Sequence, residues 1–196
     1  MTAAGKEAGM ERHRSVVTEG GTLTPLCIEL LVGRLQAADG AERKRAREAL
    51  MHIGRLASPA VQTLLRHPSD SVRWEACKTL MHLRDPVSAR ALARMLTDED
   101  MDVRWVAADA LIELERHAVE PVLELLREEY DTVTLREGAH HVLHALRMDG
   151  LLNGAEERVL EALAVNELPS KAAFAAVQVL DERRRRREEP EHHVTA

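Results

Sequence analysis

Aromatic residues are nearly absent: Trp74, Trp105, Tyr130 and Phe174 are all that 196 residues contain. Sheets draw heavily on aromatic and β-branched side chains, so this poverty, set against abundant Ala, Leu and Arg, excludes a β fold and leaves close-packed helices. Cysteine is scarce too. Cys27 and Cys77 lie fifty residues apart and match neither zinc nor redox spacing, which reads as apolar thiols in a reducing compartment, the cytoplasm. No run reaches the roughly 20 apolar residues of a membrane span, and Met1-Thr-Ala-Ala-Gly-Lys-Glu lacks the apolar centre of a signal peptide. No membrane contact is expected. Also missing are a Gly-rich phosphate loop and a supported nucleophile-base ordering, so no catalytic residue is assigned and no cofactor is implied. Positive charge is in deficit: the net charge is -6, the sign opposite to that of a phosphate-tracking groove. Nucleic acid is therefore disfavoured as a partner.

What is there is one pattern written three times. Asp70-Ser-Val-Arg-Trp-Glu-Ala-Cys-Lys-Thr-Leu is followed by Asp102-Val-Arg-Trp-Val-Ala-Ala-Asp-Ala-Leu and Thr134-Leu-Arg-Glu-Gly-Ala-His-His-Val-Leu. Arg73, Arg104 and Arg136 are spaced by 31 and 32 residues, and Arg43 stands 30 before Arg73. That period belongs to stacked helix pairs, each too short to bury its apolar face alone. The spacing predicts five pairs: 25–36 with 42–56, 59–66 with 70–84, 87–96 with 101–116, 119–129 with 133–148, and 155–164 with 169–186. Pro25, Pro59, Pro86, Pro121 and Pro169 are read at helix starts, where the missing N–H costs least. Asp70, Asp100 or Asp102, and Thr132 or Thr134 are read as caps of the second helices. Residues 1–22 read as a disordered leader, 23–187 as the solenoid and 188–196 as a disordered tail.

In the second helices, apolar residues recur at helical spacing: Val72, Ala76, Leu80, Leu83; then Val103, Ala107, Leu111, Leu114; then Leu135, Ala139, Leu143, Leu146. These form the predicted core. Val61, Leu64, Leu65, Leu92, Met95, Leu96, Val122, Leu123 and Leu126 face them from the first helices.

The Asp-x-Val-Arg-x-x-Ala-x-x-Ala-Leu register resembles the short bacterial HEAT-like repeats, as found in phycobilin lyases. The resemblance covers about residues 25–181 and is strongest over 70–114. It implies an all-α fold: a right-handed solenoid of about five antiparallel helix pairs, with the second helices lining the concave side. It also implies that Arg43, Arg73, Arg104 and Arg136 form a ladder bonded to inter-repeat acids or carbonyls, with Asp70 and Asp102 as candidate acids. The fifth unit lacks that Arg and reads as a cap. HEAT-like deoxyhypusine hydroxylases hold iron through adjacent His-Glu pairs, and no such dipeptide occurs here. HEAT-like DNA glycosylases need a basic concave face, whereas this one mixes both signs.

Counted in steps of three and four, the face opposite the core carries Lys44, Glu48, Met51, Arg55; then Trp74, Lys78, Met81, Asp85; then Trp105, Asp109, Ile112, Arg116; then Glu137, His141, His144, Met148. Both tryptophans share one repeat position. Trp74, Trp105, Met51, Met81 and Ile112 thus form an apolar strip, with Lys44, Lys78, Asp109 and Arg116 as its charged rim. That is the composition of a surface for a protein or peptide. The alternative is that each indole folds over the neighbouring helix and serves packing alone. His140, His141 and His144 are a second candidate, since i, i+3 and i, i+4 spacing places imidazoles together as metal ligands require. His140 aligns with Cys77 and Ala108 and is expected half-buried. Arg183–Arg187, flanked by acids, reads as a solvated helix end.

The resulting function is a non-enzymatic adaptor or regulatory scaffold. A tetrapyrrole-handling lyase or chaperone and a His-liganded metal protein stand as alternatives. Oligomeric state stays open.

Overall fold

The computed structural model describes residues 25–164 and 167–188. The leader assigned to 1–22 and, apart from Glu188, the tail assigned to 188–196 lie outside them. The described residues hold ten α-helices: α1 Pro25–Arg34, α2 Gly40–Ile53, α3 Ser58–Gln62, α4 Asp70–Leu83, α5 Ala89–Arg94, α6 Met101–Glu113, α7 Arg116–Glu128, α8 Val133–Met148, α9 Gly154–Ala162 and α10 Pro169–Glu188. No strand is present among them. α3 and α5 are single α-turns extended at both ends by 3-10 turns, Gly54–Ala57 and Thr63–Arg66 around α3, Pro86–Ser88 and Met95–Thr97 around α5.

The chain forms a two-layer helical solenoid. α2, α4, α6 and α8 stack in one layer, while α1, α3, α5 and α7 stack in the other. Every residue of the three second-helix stripes is buried, as are the nine facing residues of the first helices. Small side chains set the spacing: Ala76, Ala107 and Ala139 are fully enclosed. At Gly138 a Cβ would come within 3.0 Å of the Leu96 side chain, so α8 approaches the preceding turn as closely as a missing side chain allows.

Around α6 and α7 the boundaries differ from the sequence reading, and at α4 the cap does. α6 ends at Glu113, and Glu115 then turns the chain at φ 54, ψ -134. α7 consequently begins at Arg116, and Pro121 lies inside it rather than at its start. α4 begins at Asp70 itself, with Ser69 at the cap position, whereas Asp100 does cap α6 by accepting from Val103 N–H at 3.0 Å.

The fifth pair departs from the stack. α10 packs along α7 and α9 instead of along α8, so the last helix crosses into the first-helix layer. Ala172, Ala176 and Val179 form its buried stripe. Among the described residues α8 therefore has no second helix beyond it, and His140 is exposed rather than half-buried, although its repeat equivalents Cys77 and Ala108 are enclosed.

Candidate functional site

The arginines fix the scaffold from which the site projects. Arg43 Nη1 donates to the carbonyls of Ala37 and Ala38, at 2.8 and 2.9 Å. Arg73 Nη1 does the same to His67 and Pro68, and Arg104 Nη1 to Asp98 and Glu99. Each guanidinium thus closes the loop entering its own helix, always at the fifth and sixth residues before it. The inter-repeat acids are Glu75 for Arg43 and Asp98 with Glu99 for Arg73. Asp70 and Asp102, the sequence candidates, are exposed, and Asp70 accepts from Ser71 N–H within its own first turn. The Asp98 hydrogen bond raises the Arg73 pKa above its ordinary value. Arg136 does not complete the ladder, since its Nε is buried without a hydrogen-bond partner.

On this frame the strip residues divide. Trp105 is 52 % exposed and Met51 40 %. Trp74, Met81 and Ile112 are half-buried and pack against the core. Each reading of the indoles thus describes one of them: Trp74 packs, and Trp105 projects. Trp105 meets His141 of α8 at 5.0 Å between ring centroids, with planes at 79°. Lys44 and Asp109 are exposed, and Lys78 is half-buried. Arg116 is not on the strip. The helical register that placed it there stops at Glu113, and its guanidinium donates to Glu156 Oε1 at 3.1 Å and to the Leu151 carbonyl.

The three histidines do not converge. His140 and His144 stack at 5.9 Å with planes at 22°, while His141 turns to Trp105. Among the described residues no group of three or more His, Cys, Asp or Glu is placed to hold a metal ion. Partial shielding from solvent on one side, then the charges of His144, Arg147 and His141, lowers the His140 pKa.

Glu156 and Glu120, which the sequence reading did not assign, gather Arg116, Arg183 and Arg187 into an ionic seam on the other layer. Glu156, fully buried, accepts from Asn153 N–H at 2.9 Å and from both Arg116 and Arg183. Arg187 Nη1 donates to Glu120 Oε1 at 3.1 Å, and Arg183 reaches the same carboxylate. The run Arg183–Arg187 is thus no uniformly solvated end: positions 183 and 187 dock α10 on α7. The i, i+4 spacing was the legible signal, but the acceptor lies 63 residues away in the chain. An open hollow of about 430 Å³ beside this seam is lined by Arg90, Arg116, Arg183, Arg187, Glu120 and Glu124 among others. Its guanidiniums are already engaged by carboxylates.

The sequence profile of HEAT repeats matches residues 28–112 and, overlapping, 57–143. The chain belongs to the HEAT repeat family. This HEAT repeat protein is similar in fold to a chain in the complex of CpcE and CpcF of phycocyanin lyase from Nostoc sp. PCC7120. The identity is 22 %, over 80 % of this chain and 98 % of that one, with a TM-score of 0.53. A designed armadillo repeat protein in complex with the peptide (KR)4 matches at 18 % identity, over 78 % of this chain and 81 % of that one, with a TM-score of 0.35. No curated protein matches the HEAT repeat chain in sequence. Among the described residues no helix is long and apolar enough to cross a membrane.

Proposed function

We propose that this HEAT repeat protein is a non-enzymatic adaptor or regulatory scaffold that holds a protein or peptide partner across the concave face lined by α2, α4 and α6. The observation that carries this is Trp105: a large aromatic ring, half exposed, on the layer formed by the second helices. Tryptophan is the residue most enriched among side chains that dominate binding energy. Met51 adds an adaptable apolar contact on α2, and the half-buried Trp74, Met81 and Ile112 complete a shallow strip between them. Lys44, Lys78 and Asp109 lie along it and orient the bound segment. The Nostoc neighbour is itself described in a complex with a second chain, which accords with a role in holding a partner. The buried, unpaired Cys77 thiol accords with a reducing, cytoplasmic setting.

The test is affinity capture from native cell extract, comparing wild type with Trp105→Ala, matched by circular dichroism. A partner retained by wild type and lost by the variant is the expected result. Identical capture by both proteins removes the strip from the account.

A further inference from the structure

The two indoles occupy equivalent repeat positions but opposite electrostatic settings. One turn beyond Trp74 on α4 stands Lys78; one turn beyond Trp105 on α6 stands Asp109. Across from Trp105, α8 contributes Glu137 at the equivalent position and His141 one turn further. The contact between Trp105 and His141 brings these two helices together at the indole, with Asp109 one turn along α6 from Trp105 and Glu137 one turn before His141 on α8. Both carboxylates belong to exposed residues, and neither has a cation within 4 Å among the described residues. Elsewhere in the stack, Glu75, Asp98, Glu120 and Glu156 are each engaged by an arginine.

An electron-rich ring with unengaged carboxylates on its own helix and on the facing one is complementary to one ligand chemistry. A cation over an indole face is attracted by the ring quadrupole, and tryptophan is the best ring for it. Building on the partner-binding reading above, we infer that the strip takes a lysine or arginine side chain of the bound segment at Trp105, stacked on the indole and flanked by Asp109 and Glu137. Lys78 opposes the same event at Trp74. The cation seat therefore exists at one end of the strip only, and it fixes which way the partner lies across the helices. An apolar residue of the partner then falls towards Met81 and Met51.

The test uses the full chain carrying Trp74→Phe, so that Trp105 is the sole tryptophan reporter. Its emission is titrated with three capped tetrapeptides, Leu-Leu-Arg-Arg, Leu-Leu-Ser-Ser and Leu-Leu-Glu-Glu. The arginine peptide is expected to bind about tenfold tighter than the serine peptide, the glutamate peptide not to saturate, and Asp109→Asn/Glu137→Gln to abolish the arginine advantage. Three results overturn the cation seat. Equal affinity for all three peptides leaves the apolar strip standing without it. An arginine preference that survives the double variant places the attraction elsewhere. No saturable binding of any peptide overturns it too, while capture with Trp105→Ala separately decides the partner-binding reading.

Discussion

Arg73 holds Asp98 with two parallel hydrogen bonds, Nε to Oδ2 at 2.7 Å and Nη2 to Oδ1 at 2.8 Å, across the boundary between the second and third helix pairs. Both side chains are less than a tenth exposed. Removing one partner of such a pair strands the other charge away from water, so Arg73→Ala is expected to cost about 3 kcal/mol or more. Arg104, which makes only carbonyl contacts at its own loop, is expected to cost about 1.5 kcal/mol on truncation. Urea unfolding of the two variants checks the order, and equal costs would reduce Asp98 to a bystander.

Glu156 joins three helices through one carboxylate. Glu156→Ala removes the acceptor for Asn153 N–H, Arg116 and Arg183 together, and should release α9 and α10 before the rest unfolds. Native-state hydrogen exchange is expected to show protection falling in residues 154–188 while α4 and α6 keep theirs.

The seam also predicts a response to acid. The Arg187 hydrogen bond, followed by the charges of Arg187 and Arg183, lowers the Glu120 pKa below its ordinary 4.5. A carboxylate depressed by folding stabilises fully above its unfolded pKa, and that stability is lost as pH falls through the depressed folded value. Docking of α10 should therefore weaken below about pH 4.5. A Glu120→Gln variant should show a flatter stability profile in that window, and an unchanged profile would count against the seam.

Glu115 adopts a positive φ of 54 with ψ -134, a region that side chains rarely tolerate. Glycine enters it freely. Glu115→Gly should raise stability, by about 1 kcal/mol, although glycine usually lowers it. A fall in the unfolding midpoint would be the opposite outcome.

The tryptophans should separate. Trp74 packs on the core, so Trp74→Ala should cost about 2 kcal/mol or more in stability. Trp105→Ala removes an exposed ring and should stay within about 0.5 kcal/mol. Thermal melts of the single variants distinguish them, and a double variant would mix a binding change with a folding change.

The core stripes were legible because Ala76, Ala107 and Ala139 repeat at one period, and helical geometry alone turns them inward. The loop-closing contacts of Arg43, Arg73 and Arg104 were legible as a ladder, but their acids were not. Asp98 reaches Arg73 from the next repeat, and that meeting depends on how far one pair is offset from another. Trp74 and Trp105 look alike in the repeat and differ in burial, since a side chain's neighbours across a layer leave no trace in its own helix. The crossing of α10 was hidden for the same reason: Arg183 names no acceptor until α7 lies beside it. His140 was misjudged because alignment with Cys77 and Ala108 assumes a following helix.

That crossing fixes how the array can grow. An extra unit inserted between the second and third pairs would meet matching small and apolar side chains on both sides. A unit appended after α10 would find Phe174 and a charged helix where a seat should be, and the far side of α8 offers His140, His144 and Arg147. Past α10 a new unit would find no matching stripe to pack on, so on that side the length of segment the array can grip is set by the position of its last helix.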